Sequence, residues 1–194
     1  RDLIDLFETT TKRFGTRVAM RIERDGKKEQ YTFEDVKELA TRAAVFFARN
    51  GIEHGQRVIL FSHNMPEWGM TYFGIIKAGA TAVPVDPAST IDDIVSFVRA
   101  GEVSAIVISQ KLLDENSGLA DRLKEENLNC KIWVFEDIFA MLPESEEAEL
   151  AKSLPAKAAP NTVASLIFTS GTTGNPKAVM LTHRNFTNMT SMLG

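Results

Sequence analysis

The sequence has few of the residues and patterns that mark several common protein classes. With Cys130 as its single cysteine, the chain cannot form an internal disulfide, which agrees with a reducing compartment. The three histidines, His54, His63 and His183, show no metal-ligand spacing. No apolar run approaches the roughly 20 residues that a membrane-spanning helix needs, and the N-terminus carries no signal-peptide pattern. We therefore expect no transmembrane segment and a cytoplasmic location.

The chain also lacks an excess of positive charge. Its formal net charge is -4, from 22 Lys and Arg against 26 Asp and Glu, so it offers no cationic field for nucleic acid or an anionic membrane. We expect no nucleic-acid partner. Apolar residues make up 44% and charged residues 25% of the 194 residues, which are ordinary globular proportions. A chain of this length can bury roughly 70% of its unfolded surface in one core.

Strand-like and helix-like segments alternate along the chain. Helical spacing of apolar residues predicts helices over residues 2–14 and from Thr32 to Gly51, the second starting at an acidic capping box of Thr32 and Asp35. Asp25-Gly26 lies between them and favours a tight β-hairpin. Five short apolar runs then predict strands, which start near Arg57, Thr81, Ser104, Lys131 and Val163.

The segments between these strands predict the class of the sheet. Helices are predicted over residues 66–78, capped by Asn64, and over residues 91–100 and 118–126. Strands that alternate with helices pair in parallel, so we predict an α/β fold: a mostly parallel sheet flanked by helices, with the small hairpin set apart from it. Pro84 cannot donate a ladder hydrogen bond, which predicts that its strand is an edge strand or is interrupted. Residues 143–161 are predicted to be a solvated connection.

The most informative stretch lies between the apolar runs Val163 to Phe168 and Ala178 to Leu181, which are both predicted strands. The loop between them supplies hydroxyl groups, glycines whose backbone amides can point into a common concavity, and a mobile positive charge. Phosphate oxygens need several donors and a cation. The loop residues predicted to hold phosphates are Thr169, Ser170, Gly171, Thr172, Thr173, Gly174 and Lys177.

This loop differs from a Walker A loop, which spaces its glycines four residues apart and opens a helix. Here two residues separate Gly171 from Gly174, Asn175 and Pro176 precede Lys177, and a strand follows. The plain alternative is a hairpin whose Gly, Ser and Thr residues only mark a loop.

At these residues the chain resembles a known family. "FTSGTTGNPKAVMLTHRN" resembles the phosphate-loop motif of the adenylate-forming (AMP-binding) superfamily, which includes acyl-CoA synthetases, peptide-synthetase adenylation domains and luciferases. Within it, the motif is most similar to long-chain fatty acyl-CoA synthetases. The family pattern usually has glycine after the lysine, where this chain has Ala178, and we expect an extended backbone there that tolerates alanine. Further stretches that resemble the family are "FGTRVAM", "YTFEDV", "NMPEWGMTYFGIIKAGATAVPVDP" and "SAIVIS".

The resemblance implies a two-step reaction. A carboxylic acid, expected to be a fatty acid, attacks the α-phosphate of ATP, and the acyl-adenylate is then transferred to the thiol of coenzyme A. The loop residues from Thr169 to Lys177 would hold the β- and γ-phosphates, and Mg²⁺ would neutralise further charge. An amino-acid or aryl-acid adenylating enzyme, or a non-catalytic nucleotide-binding module, stays open as the alternative.

The resemblance also implies that residues 1–194 are the N-terminal part of an AMP-binding domain. The adenine contacts, a metal-binding carboxylate, most of the acyl pocket and a catalytic lysine on a C-terminal lid domain would then lie downstream. We therefore assign no catalytic or metal-binding residue in this chain, and we expect the 194 residues alone to be inactive.

Other candidates for a site are weaker. Cys130 lies before a strand and is expected to be a half-buried thiol rather than a nucleophile. His183 lies within the motif, and either an approach to the nucleotide or a local hydrogen bond at the start of the last helix is open. Trp68, Tyr72 and Phe73 form an aromatic helix face, which we expect to be part of the core.

Overall fold

The computed structural model of the chain describes residues 2–139, 149, 151–155, 157–169 and 176–192. Helices and strands alternate along these residues, as the sequence predicts. In chain order they are α1 (Leu3–Phe14), β1 (Val18–Arg24), β2 (Lys27–Thr32), α2 (Phe33–Arg49), β3 (Arg57–Phe61), α3 (Pro66–Lys77), β4 (Thr81–Val85), α4 (Ile91–Gly101), β5 (Val103–Ile108), α5 (Gln110–Glu115), α6 (Leu119–Glu125), β6 (Lys131–Val134), α7 (Phe135–Phe139), β7 (Val163–Thr169), β8 (Lys177–Thr182) and α8 (His183–Met192).

The strands form two sheets. β1 and β2 pair in antiparallel fashion, and the other six strands follow the order β6-β5-β3-β4-β7-β8. All neighbours in the larger sheet are parallel except β7 and β8. The five segments predicted to be strands therefore lie in one mostly parallel sheet, and the hairpin at Asp25 is separate from it, which confirms the predicted fold class.

Helices cover both faces of the large sheet because its central strands are apolar on both sides. Val58 and Leu60 of β3 pack into a core cluster with side chains of α1, α2 and α3, whereas the intervening Ile59 and Phe61 pack against α4 and α6. All four side chains are fully buried. A parallel strand buried on both faces reads as a continuous apolar run, which is why "VILF" is recognisable in the sequence.

The starts of α2 and α4 show why these helices begin where they do. Thr32 and Asp35 form the predicted capping box, and Thr90 and Asp93 form an equivalent one at α4. Hydrogen bonds from the backbone and side chain of the threonine lower the pKa of each aspartate. Each box satisfies backbone donors that the first turn of a helix leaves unpaired.

Two predictions about capping and strand position were wrong. Asn64 does not cap α3: the N-cap residue is Met65, which makes no side-chain cap, and Pro66 at the first helical position has no N–H to satisfy. Pro84 does not lie on an edge strand, because β4 is flanked by β3 and β7. The alternative, an interruption, is not observed either, because β4 is unbroken from Thr81 to Val85 and pairs with β3 along its whole length; only its ladder with β7 is short, at the pair Ala82 and Ser165.

The region from β5 to β7 has more helices than predicted. The helix predicted over residues 118–126 corresponds to α6, whereas α5 and α7 were missed. α7 starts at Phe135, directly after the last residue of β6. In the predicted connection over residues 143–161, the described residues are 149, 151–155 and 157–161, and all of them are half-buried or exposed, although residues 151–153 are helical. Within the described residues, no helix has the length and apolar character that crossing a membrane requires.

Candidate functional site

The β7–β8 hairpin brings the two ends of the predicted phosphate loop together. Thr169 ends β7, Lys177 begins β8, and these two residues are the closing cross-strand pair. The Thr169 hydroxyl donates to the Lys177 carbonyl oxygen at 3.4 Å. Both side chains are exposed, and within the part of the chain that the structure describes Lys177 forms no ion pair. The ammonium group is thus available to an anion.

The remaining predicted phosphate-binding residues, Ser170, Gly171, Thr172, Thr173 and Gly174, lie outside the described residues. Their assignment therefore stays a prediction.

The residue after the lysine has the conformation that we expected. Ala178 lies in β8 opposite Phe168, and the non-glycine residues with positive φ among those described are Asp25, Glu102 and Asn127. The methyl group of Ala178 therefore causes no backbone strain, because an extended position accepts any L-residue. The absence of the glycine that the family pattern usually carries does not disturb the start of β8.

The strand directions place Thr169 and Lys177 at the edge of the sheet where the parallel strands have their carboxyl ends. β7 runs parallel to β4, so Thr169 at its end lies at the same edge as Val85 at the end of β4. In open α/β sheets, ligands bind outside the carboxyl ends of the strands. The closing pair of the hairpin is at this edge of the sheet.

Side-chain hydroxyl groups join β7 to β4 where the backbone ladder is short. The hydroxyl of Ser165 donates to the Ala82 carbonyl oxygen at 3.0 Å, and the hydroxyl of Thr81 donates to the Val163 carbonyl oxygen, also at 3.0 Å. The Ser165 side chain also interacts with that of Tyr72, whose pKa burial raises. These bonds attach the hairpin to the central sheet beside the single ladder pair of β4 and β7.

The aromatic face of α3 belongs to the core, as predicted. Trp68 and Tyr72 are stacked with ring centroids 5.5 Å apart, and Phe73 packs edge-on against Tyr72. All three lie against the buried cluster on the α1–α3 face of the sheet. Tyr72 adds the hydroxyl group that reaches β7.

His183 makes a hydrogen bond that neither sequence alternative described. It is 3% exposed, and its Nδ1 accepts the backbone N–H of Leu3 at 3.2 Å. The partner is therefore the first turn of α1 rather than a nucleotide or a residue near the start of α8. Burial lowers the pKa of His183, and nearby His54 acts in the same direction, whereas Asp2 raises it. Nδ1 must be unprotonated to accept, so the neutral ring fits this position.

The buried neutral His183 makes the fold less stable as the pH falls. The pKa of His183 in the folded chain is below its ordinary value of 6.5. Its contribution to the free energy of unfolding is therefore complete above pH 6.5 and is lost as the pH falls through the folded pKa. We predict that the chain loses more stability between about pH 7 and pH 5 than His183→Asn, whose side-chain oxygen can accept the same bond without titrating. Urea unfolding at the two pH values measures both losses. Equal losses would contradict the prediction.

The Cys130 thiol is not activated as a nucleophile. Burial raises the pKa of the half-buried Cys130 thiol to about 12, so the thiolate that a nucleophile needs is not formed near neutral pH. This agrees with the expected half-buried thiol. No group of three or more His, Cys, Asp or Glu side chains in the described ranges is arranged to hold a metal ion.

The sequence interpretation missed the capping of α8 and α1. Thr182 and Asn185 form a reciprocal pair at the start of α8, in which the Asn185 Oδ1 accepts from the Thr182 backbone at 2.8 Å. Asp2 caps α1 by accepting from the Asp5 backbone at 2.8 Å. The three-residue spacing of each pair was a readable signal.

Comparisons with known proteins agree with this geometry. The profile of a family described as "AMP-binding enzyme" matches residues 7–193. A long-chain-fatty-acid–CoA ligase of Xenopus laevis is 29% identical over 94% of this chain and 26% of its own length. The 4-coumarate–CoA ligase 4 of Arabidopsis thaliana is 29% identical over 79% of this chain and 28% of its own length. This chain thus spans between a quarter and three-tenths of these relatives.

Among solved structures, the McyG A-PCP protein complexed with phenylalanyl-adenylate superimposes with a TM-score of 0.80. It is 23% identical, and the match covers 98% of this chain and 30% of that one. At this identity the likeness shows the fold.

Proposed function

Because this chain belongs to the AMP-binding enzyme family, we propose that the protein carrying it activates a carboxylic acid with ATP. In the first step a carboxylate oxygen attacks the α-phosphorus, the bond to the β-phosphate oxygen breaks, and pyrophosphate leaves. In the second step the thiolate of coenzyme A attacks the acyl carbonyl carbon and AMP leaves. The products are acyl-CoA, AMP and pyrophosphate.

The observation that carries this proposal is the pairing of Thr169 with Lys177 at the carboxyl edge of the sheet. Negative charge grows on the pyrophosphate as it leaves, so a cation and donors that already contact the phosphates of bound ATP stabilise the transition state further. In this proposal Lys177 and the loop residues from Thr169 to Gly174 contact the β- and γ-phosphates. They would act on the leaving group, and the acid and adenine would be bound by other parts of the protein.

In this proposal Mg²⁺ arrives bound to ATP, as MgATP. The described residues include no cluster of carboxylate, imidazole or thiol groups suited to a resident metal. Lys177 and the Thr169 hydroxyl suit phosphate oxygens instead, as they supply a cation and a donor. Bound Mg²⁺ would neutralise part of the phosphate charge.

We propose that the acid is a fatty acid. The Xenopus laevis relative, whose name states a long-chain fatty acid, supports this choice. The Arabidopsis thaliana relative and the phenylalanyl-adenylate complex support an aryl or amino acid equally well. The third candidate is a non-catalytic nucleotide-binding module, and no observation of this chain supports it specifically.

A panel of acids separates these candidates. The protein that carries this chain is assayed for ATP–pyrophosphate exchange with hexadecanoate, 4-coumarate and phenylalanine in turn, with and without coenzyme A. We expect hexadecanoate to support exchange at least about 10-fold faster than the other two acids, which is about 1.4 kcal/mol of discrimination. Faster exchange with an aryl or amino acid would overturn the fatty-acid assignment. Absence of exchange with every acid would favour the non-catalytic module.

We further propose that residues 1–194 form the N-terminal part of an AMP-binding domain. The phosphate contacts of one loop would have to overcome the several kcal/mol that ligand immobilisation costs. The 194 residues by themselves are therefore expected to form no acyl-adenylate.

A further inference from the structure

The β7–β8 hairpin has two ends: the pair of Thr169 and Lys177 is its tip, and the opposite end, where β7 begins and β8 ends, is its base. Its last cross-strand pair, Val163 and Thr182, lies six residues along β7 from Thr169, which is about 20 Å at 3.3 Å per residue. At the base, the ladder also shifts register between Val163 and Ser165, and the intervening Ala164 is fully buried in the cluster that contains residues of α1. The base of the hairpin thus shares a buried cluster with Leu3 and Ile4 of the N-terminal helix.

Two buried side chains fasten this base to α1. One carboxylate oxygen of Asp2 accepts from Asp5 within α1, and the other accepts from the Ala158 backbone, before β7, at 3.2 Å. His183, directly after β8, accepts from Leu3. Asp2 is 4% and His183 3% exposed. We call Asp2, His183 and these hydrogen bonds the N-terminal clasp.

The clasp holds both strands of the hairpin at one place. The His183 backbone donates to the Thr162 carbonyl oxygen at 3.0 Å, and Arg184 donates to Pro160 at 2.8 Å, so the segments before β7 and after β8 are also tied to each other. A displacement of α1 therefore moves both strands together. On the other sides, β8 has no strand on its outer side among the described residues, and β7 is joined to β4 by a single ladder pair and the hydroxyl bonds of Ser165 and Thr81.

We propose that Asp2 and His183 are positioning residues that set the position of Thr169 and Lys177 through the hairpin. This inference rests on the proposed binding of the ATP phosphates at the tip. A tilt of about 5° around Ser165 would shift the tip, about 13 Å away, by about 1 Å. Misplacement by about 1 Å can cost up to 100-fold in rate at a reacting centre. The clasp acts at a distance, and neither residue touches the nucleotide.

The test compares the KM for ATP in clasp variants of the protein that carries this chain. ATP–pyrophosphate exchange is measured with the acid that supports it best, at a temperature where each variant is shown to be folded. We expect His183→Ala to raise the KM for ATP by about 10-fold and to leave the KM for the acid within about 2-fold. His183→Asn keeps an acceptor at the position of Nδ1 and is expected to restore the KM for ATP to within about 2-fold of the original value.

A second clasp variant and a matched control separate positioning from stability. Asp2→Ser keeps a hydroxyl that can cap α1 but has no second oxygen to reach Ala158, and it is expected to raise the KM for ATP by about 3-fold. Thr32→Ala removes the capping box of α2 without touching the hairpin base, and it should lower stability with an unchanged KM for ATP. An unchanged KM in His183→Ala, or an equal rise in Thr32→Ala, would overturn the proposal.

Failure of the proposed function has a different signature. If the protein shows no exchange with any acid, or if Lys177→Ala exchanges normally, the assignment of the loop to the leaving pyrophosphate is wrong. The clasp is then tested by amide hydrogen exchange alone. We expect His183→Ala, but not His183→Asn, to speed exchange along residues 165–169 and 177–181 by about 10-fold. Unaltered protection of these amides would contradict the role of the clasp.

Discussion

Replacing Lys177 with alanine is expected to lower acid-dependent ATP–pyrophosphate exchange by about 10-fold or more. The ammonium group is exposed and forms no ion pair within the described ranges, so the mutation breaks no ion pair among these residues. What it removes is a charge-assisted bond to the leaving pyrophosphate, which strengthens as negative charge grows. If the specificity constant kcat/KM falls by about 10-fold, the lost transition-state stabilisation is about 1.4 kcal/mol.

Two control variants make this prediction specific. Lys177→Arg keeps the charge and is expected to retain more activity than the alanine variant, although its planar fork differs from an ammonium group. Lys124→Ala removes a lysine that is 79% exposed on α6, and it should leave exchange unchanged. Normal exchange in Lys177→Ala would show that the phosphates do not bind at this hairpin.

Gly74→Ala is expected to destabilise the fold by about 2 kcal/mol. A Cβ atom at this position would lie 2.4 Å from the Cβ of Ala43 and 3.1 Å from the backbone oxygen of Ala40, both on α2. Alanine gains about 1 kcal/mol over glycine in helix propensity, but overpacking against atoms that cannot rotate away costs about 3 kcal/mol. The overpacking term is larger, because α2 and α3 would have to separate.

Urea unfolding of the chain measures this effect, and a second glycine supplies the control. At Gly118 a Cβ would meet its nearest atom, in Ile91, at an ordinary 3.7 Å, so Gly118→Ala should change stability by less than about 1 kcal/mol. Combining Gly74→Ala with Ala43→Gly removes the closest contact and is expected to show a favourable coupling of about 1 kcal/mol. Additive effects would mean that α2 and α3 are not in tight contact here.

The strands of the large sheet could be predicted from the sequence because their signal is local. Val58 to Phe61 and Ala105 to Ile108 are buried on both faces, so each appears as an unbroken apolar run. The capping box of Thr32 was readable for the same reason, since its two members are three residues apart. Short helices such as α5 and α7 have too few turns for a clear periodicity.

The parts of the site that depend on distant residues could not be predicted. The composition of the loop indicated phosphate binding, and the structure pairs Thr169 with Lys177 as the flanking strands implied. His183, however, bonds to Leu3 across 180 residues, and no pattern in one sequence reports such a contact. Pro84 likewise suggested an edge or interrupted strand, but β4 is continuous and flanked by β7, whose Ser165 bonds to Ala82 from 83 residues further along the chain.

The most direct test of the central claim is a crystal structure of the protein that carries this chain, with Mg²⁺ and a non-hydrolysable ATP analogue. We predict that the β- or γ-phosphate oxygens lie about 2.7 to 2.9 Å from the Lys177 Nζ, within reach of the loop that starts at Thr169. A well-ordered triphosphate bound elsewhere, with Lys177 directed into solvent, would contradict the account.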